Sequence, residues 1–308
     1  MSSVDKTTRA FTFLVNPASG GGAAPAAVVP VAKRLREGGA SVEVTYSPGP
    51  KAMGALVDAA VERGDIVVSV GGDGMLSSLA GLVANRGGTL AVVPAGRGND
   101  FARMLGLPED PAELAQILLD STARAVDLIS VTLPGAEPRV VAGSVYCGVD
   151  ARAGEIVDKA HWLPSQVQYP YAALRALATY KPGHYVVSVD GEEHRFVASN
   201  VVVANSAYYG KGMKIAPSAV LDDGLLDVVV IEAASKLALM RSLPKVYDGA
   251  HVDLPEVTCL TGRRVEVRAD AARPVSVGGD GEPLGSLPPQ SGQPAVVEVL
   301  PGALRVIA

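Results

Sequence analysis

Asp65-Ile66-Val67-Val68-Ser69-Val70-Gly71-Gly72-Asp73-Gly74-Met75 decides the architecture of the first part of this 308-residue chain. Asp65 to Val70 is apolar on both faces, as a strand covered on both sides must be, and the glycines that follow turn the chain into a helix over Met75 to Asn85. Working outward, the same alternation recurs. Phe11 to Asn16 reads as a strand, Ala24 to Glu37 as a helix, Ser41 to Ser47 as an alternating strand and Pro50 to Arg63 as a helix. Thr89 to Pro94 is another buried strand. Strands and helices taking turns across short loops predict an α/β domain with a mostly parallel sheet covered by helices.

Past residue 125 the texture changes. Arg124 to Leu133, Arg139 to Val149, His184 to Ala204, Leu225 to Ile231 and Arg263 to Val267 are β-rich and joined by turn signals such as Asp190-Gly191, which predicts a β-rich, antiparallel, sandwich-like second domain. Helical segments are expected over Tyr169 to Tyr180 and over Ser235 to Tyr247, the latter ended or kinked by Pro244. The expected domains are therefore 1–128 and 129–308, with 296–308 able to pair with either.

Composition narrows the function. Hydrophobic residues are 48% and charged residues 19%, as in a protein with filled cores. A net charge of −5 offers no basic surface for a nucleic-acid backbone. Cys147 and Cys259 lie apart in strand-like runs and are expected to be reduced core residues; the four histidines lack metal-ligand spacing and read as surface or turn residues. The apolar run at Phe11 to Val15 is too short for a secretory h-region and no spanning segment is evident, so a cytoplasmic protein is expected.

The chemistry concentrates in glycine-rich corners. Asn16-Pro17-Ala18-Ser19-Gly20-Gly21-Gly22 follows the first strand, Gly71-Gly72-Asp73-Gly74-Met75 the third, and Pro94-Ala95-Gly96-Arg97-Gly98-Asn99-Asp100 the fourth. Glycines let backbone N–H groups face an anion, a helix terminus adds a favourable dipole, and parallel strands place such loops at one sheet edge. Ser19 can donate a hydroxyl to phosphate, Asn16 and Asn99 can orient loops or ribose, and Asp73 and Asp100 can hold hydrated Mg²⁺. The plainer readings are a tight strand-to-helix turn at Gly71 to Met75 and a helix cap at Asn99 and Asp100.

Five motifs occur in one order: Asn16 to Gly20, Gly71 to Gly74, Pro94 to Asp100, Leu221-Asp222-Asp223-Gly224-Leu225-Leu226-Asp227, and Gly279-Asp280-Gly281-Glu282. Together they resemble the diacylglycerol kinase catalytic domain family, which includes bacterial lipid kinases and relatives of sphingosine and ceramide kinases, over nearly the whole chain. The resemblance implies an ATP- and Mg²⁺-dependent lipid kinase with an active-site cleft between its two domains. Asn16, Thr45 and Gly71 to Met75 would contact ATP. Asp73, Asp100 and Asp127 would organise the magnesium site, and Val220, Asp223 and Leu225 a further, structural Mg²⁺ site. Glu282 matches the general base that takes the lipid hydroxyl's proton, with Asp280 beside it. The implied partners are ATP, Mg²⁺ and a lipid at a membrane surface touched transiently; a homodimer is left open.

Three features complicate this reading. Asp-Gly-Glu occurs twice, at Asp190 to Glu192 and Asp280 to Glu282; the first copy is read as the hairpin turn and the second as functional. Met75 and Arg97 stand where relatives carry threonines, so neither position offers a hydroxyl to ATP; Arg97 either meets phosphate directly or points into solvent. Lys159 to Lys181 combines Trp162, Tyr169, Tyr171, Tyr180 and Arg175 with the apolar stripe Leu174, Leu177 and Ala178, suited either to a membrane interface or to packing on the β domain. The rivals are an NAD kinase-like enzyme, opposed by the Asn16, Asp222-Asp223-Gly224 and Glu282 motifs, and a catalytically silent nucleotide- or lipid-binding regulator.

Overall fold

The computed structural model describes residues 9–47, 49–160, 162–163 and 165–308. The chain divides into two compact units, the first made of residues 1–126 and 302–308, the second of residues 127–301. His161 lies outside the described residues.

In chain order the first unit holds β1 (Ala10–Val15), α1 (Ala24–Glu37), β2 (Ser41–Tyr46), α2 (Pro50–Glu62), β3 (Ile66–Gly71), α3 (Asp73–Ala84), β4 (Thr89–Pro94), α4 (Asp100–Met104) and α5 (Pro111–Asp120). β1 pairs in parallel with β2 and β3, and β3 with β4, with Val15 level with both Tyr46 and Val70 and Gly71 level with Pro94. The strands therefore end together along one carboxyl edge. Phe11, Phe13, Val68, Val70, Ala91 and Val93 are buried on one face against Val28, Val31 and Leu35 of α1 and Leu114 and Leu118 of α5, and the alternate residues Leu14, Val67, Leu90 and Val92 are buried as well, which is the two-sided burial their apolar runs require. α5 was not evident from sequence, although Asp110 caps it in the ordinary way, its carboxylate accepting from the Ala112 and Glu113 N–H groups at 2.8 and 3.0 Å.

The chain leaves this unit within β5 (Ala123–Thr132) and continues through β6 (Arg139–Val141), β7 (Ser144–Gly148), α6 (Val149–Asp158), α7 (Ser165–Thr179), β8 (Gly183–Val189), β9 (Glu192–Ala204) and β10 (Leu226–Glu232). Next come α8 (Lys236–Ser242), α9 (Lys245–Asp248), β11 (Val257–Gly262), β12 (Arg264–Asp270), β13 (Ser276–Gly279), β14 (Glu282–Ser286) and β15 (Ala295–Ile307). Every strand pair with a defined register here is antiparallel. The long β9 pairs with β8 through its first half and lies between β7 and β10 in its second, so two layers share one strand around Val187, Val201, Val203, Val228, Val265 and Val297. β15 pairs with β12 through Ala295 to Glu298, then with β4 in parallel through Arg305 and Val306.

Several expectations need correction. Arg139 to Val149 is two strands, broken at Ala142 and Gly143, and the residues after it form α6. Cys147 is buried, which pushes its thiol up to about 12, but Cys259 faces outward from β11. His251 is buried, with Nε2 3.0 Å from the Ile215 carbonyl. Among the described residues no helix is long and apolar enough to cross a membrane.

Candidate active site

The three glycine corners of the first unit meet at the carboxyl edge of its sheet. Asn16 N–H donates to Val70 O at 3.0 Å, Ala95 N–H to Gly71 O at 3.1 Å, and Gly72 N–H to Ser19 Oγ at 3.3 Å. The approach is backbone on backbone. A Cβ on Gly20 would lie 2.5 Å from Ala95 O, and one on Gly96 only 2.4 Å from Gly72 Cα. Gly20 also sits at φ +63, a conformation glycine adopts without strain. With the Ser19 oxygen accepting, its O–H remains to donate to a ligand.

The polar side chains here mostly hold the corners in shape. Asn16 Oδ1 accepts from Ala18 N–H at 3.0 Å. Asn99 sits at φ +55 ahead of α4 but does not cap that helix; its Oδ1 reaches back to Gly96 N–H at 2.8 Å. Asp73 opens α3, two residues earlier than expected, with Gly74 and Met75 in the same first turn, and its Oδ1 accepts from Phe101 N–H at 3.2 Å. Asp100 is buried and paired with Arg103 at 2.6 Å. Thr45 lies one residue from the end of β2, level with Leu14. Met75 replaces the hydroxyl with bulk, its sulfur 2.9 Å from where a Gly71 Cβ would stand. Arg97 is exposed and has no ion-pair partner among the described residues.

In the second unit, Asp127 governs the Val220 to Leu225 loop. It is 2% exposed; its N–H donates to Leu221 O at 2.6 Å and its Oδ2 accepts from Gly224 N–H at 2.7 Å. Asp223, exposed, accepts from Leu225 N–H at 3.0 Å, a turn that folds the loop tightly. The donors assigned to the structural metal are thus a carboxylate and backbone carbonyls, with the Asp127 carboxylate beside them. That all-oxygen set fits Mg²⁺. No group of three or more His, Cys, Asp or Glu side chains gathers among the described residues, so protein carboxylates alone do not form a cage.

The second Asp-Gly-Glu is a hairpin turn too. Asp280 and Gly281 link β13 to β14 at φ +44 and +87, matching Asp190 and Gly191 at +49 and +92. Both aspartates also hold a neighbouring segment: Asp190 accepts from Arg263 and Arg264 N–H groups, Asp280 from Ala142, Gly143 and Ser144 at 2.9 to 3.2 Å. This anchoring breaks the Arg139 to Val149 stretch into two strands, and it makes Asp280 a fixed support rather than a free acid. The copies differ at the glutamate's surroundings. Gly281 N–H donates to the Tyr146 hydroxyl at 3.1 Å, and Glu282 stands exposed at the start of β14.

Tyr146 had no signal in the sequence, nor had a half-buried cluster around Asp150. In the first turn of α6, the Asp150 carboxylate accepts from Tyr209 Oη and Asn200 Nδ2. Burial pushes the Asp150 carboxyl above its usual range, against the pull of those two donors, and pushes the Tyr209 phenol well up. No sequence spacing connects positions 150, 200 and 209.

Two family descriptions match the chain: "Diacylglycerol kinase catalytic domain" over residues 10–131 and "YegS C-terminal NAD kinase beta sandwich-like domain" over residues 143–308. The chain is 32% identical over 303 residues to a diacylglycerol kinase of Mycobacterium tuberculosis, covering 96% of this chain and 94% of that one. It is 26% identical over 291 residues to a diacylglycerol kinase of Bacillus subtilis, covering 90% of each. In fold it is similar to a crystal structure of a diacylglycerol kinase from Bacillus anthracis, with a TM-score of 0.70 at 19% identity over 97% of this chain and 96% of that one.

Proposed function

The chain belongs to the diacylglycerol kinase family, and on that premise we propose that it transfers the γ-phosphate of ATP, with Mg²⁺, to a hydroxyl of diacylglycerol or a related lipid. The observation that carries this reading is the backbone packing of the three glycine corners at one sheet edge, where the Ser19 hydroxyl and the first turn of α3 face the place a phosphate chain would take.

Phosphoryl transfer asks for positioning and charge stabilisation. The Asn16, Gly71 and Gly96 corners hold the nucleotide, and the exposed Arg97 supplies a charge for phosphate in place of a threonine hydroxyl. Asp73 and Asp100 of the first unit would hold hydrated Mg²⁺, and in the second unit Asp223 with the Val220 and Leu225 carbonyls, braced by Asp127, would hold the structural ion. Mg²⁺, when bound, neutralises charge on the phosphate oxygens. Glu282 accepts the proton of the lipid hydroxyl as that oxygen bonds to the γ-phosphorus and the bond to ADP breaks; Asp280 fixes the turn that presents it.

A lipid acceptor requires access to a membrane, and the second unit carries a suitable face. Trp162, ahead of α7, is 72% exposed, Leu174 on α7 57% and Leu237 on α8 55%, with Arg175 on α7 and Lys236 on α8. The other side of α7 packs Ala172, Ala176 and Leu177 against Val149 and Ile156, which is the packing its apolar stripe requires. Apolar residues among cations suit an anionic interface.

The test is transfer of labelled phosphate from ATP and Mg²⁺ into micelles of diacylglycerol, monoacylglycerol, ceramide, sphingosine or polyprenol, with NAD as an added acceptor. Labelled lipid formed by the wild type and nearly lost in Glu282→Gln is the expected result. Label in NAD alone, or ATP binding without transfer, would overturn it.

A further inference from the structure

The metal loop and the base-bearing turn of the second unit are joined through one buried side chain. Asn205 follows β9 and is 1% exposed. Its Nδ2 donates to two carbonyls, Asp127 O at 2.8 Å and Ala142 O at 3.3 Å. Its own N–H donates to Gly143 O at 2.8 Å.

Each of those carbonyls leads to part of the proposed chemistry. Asp127 holds Gly224, next to Asp223, through its Oδ2. Ala142, Gly143 and Ser144 donate their N–H groups to Asp280, and Ser144 O accepts the Asp280 N–H at 3.2 Å, two residues before Glu282. The segment 142–144 is thus clamped between Asn205 on its carbonyls and Asp280 on its amides. It has no slack, since a Cβ on Gly143 would lie 2.8 Å from Asp280 Oδ1.

We propose that Asn205 is a positioning residue that sets the Asp223 metal loop and the Asp280–Glu282 turn relative to one another. Buried hydrogen-bond networks behind ligands and bases fix their geometry, and a member that bonds to both sides couples them. This rests on the kinase reading above for its consequence, although the bonds themselves do not. No donor among the described residues reaches Asn205 Oδ1, so the side chain acts through Nδ2 alone.

That isolates the test. Asn205→Asp keeps the shape and Oδ1, removes the two donors and sets a carboxylate oxygen against the two carbonyls they served. In lipid phosphorylation assays, kcat falls by roughly 10- to 100-fold and the Mg²⁺ concentration for half-maximal activity rises several-fold, as replacing an outer partner of a metal ligand does, while KM for ATP stays near the wild-type value. A role in stability alone would lower kcat only in proportion to the folded fraction and leave the Mg²⁺ curve unmoved, which overturns the proposal. In parallel, hydrogen exchange follows the amides of Gly224 and of residues 142–144. Both groups exchange faster together in the variant if Asn205 couples them; acceleration of one group alone, or of neither, overturns it. Should Asn205→Asp not fold, Asn205→Ser removes the same donors without placing a carboxylate against two carbonyls. A wild type inactive on every lipid would instead overturn the kinase reading, and the exchange result would still decide Asn205.

Discussion

Asp280 and Glu282, one glycine apart, differ in what surrounds their carboxylates, and substitutions at the two separate cleanly. Glu282 is exposed, so Glu282→Gln leaves the melting temperature unchanged and lowers kcat by about 10²- to 10⁴-fold, the usual worth of a general base. Asp280 accepts three backbone N–H groups. Asp280→Asn removes charge-assisted bonds from a half-buried site and destabilises the fold by about 1–3 kcal/mol, with lower activity as a consequence of the displaced turn. Denaturant melts beside kinetics distinguish the two. Asp150 gives a pH signature. Burial raises its folded-state pKa above the unfolded one, so the stability it contributes is present below the unfolded pKa and lost as pH rises through the folded pKa. Asp150→Asn should therefore be more stable than the wild type at neutral pH and lose that advantage in acid. Thermal melts of both chains across that range check it, and parallel curves would remove Asp150 as the cause.

At the scale of elements, the glycine corners and the α7 face each carry a prediction. Gly96→Ala would drive a methyl into Gly72 Cα and part the loops after β3 and β4, raising KM for ATP by about 10-fold or more through misplacement of the phosphate donors while leaving KM for lipid unaltered. Trp162→Ala with Leu174→Glu should abolish sedimentation with anionic vesicles but preserve the ATP binding proposed for the first unit; unchanged sedimentation would remove this face as the membrane contact. The same elements show what a reader of the sequence can reach. α1 and β4 match their expected limits because apolar spacing and flanking glycines mark both ends. The three corners were legible because parallel strands oblige their carboxyl ends to share an edge. Partnership over long separations was not: that Ala142 to Ser144 would surrender their amides to Asp280, or that Asp150 would find Tyr209, depends on where the antiparallel strands return. Asp-Gly-Glu misled for the same reason, since both copies are hairpin turns and only their neighbours tell them apart.

At the scale of the whole molecule, the last strand decides whether the first unit is complete without the end of the chain. Residues 302–308 belong to that unit, where Arg305 and Val306 add a parallel strand beside β4. Leu304 and Val306 are fully buried, and Ile307, 3% exposed, belongs to the cluster that holds Phe11, Val68 and Val93. Burying three such side chains contributes about 5–8 kcal/mol, comparable to the total stability of a domain. Removing them also bares the β4 edge to solvent and to other chains. A chain ended at Pro301 should then lose ATP binding and the amide protection of β1, β3 and β4. The second unit keeps the Ala295 to Glu298 pairing with β12, so protection over β8, β9 and β12 should persist. Hydrogen exchange resolved by segment reads both outcomes at once. Protection retained in β1, β3 and β4 would mean that the first unit folds without its fifth strand; protection lost everywhere would mean that the two units unfold as one cooperative body.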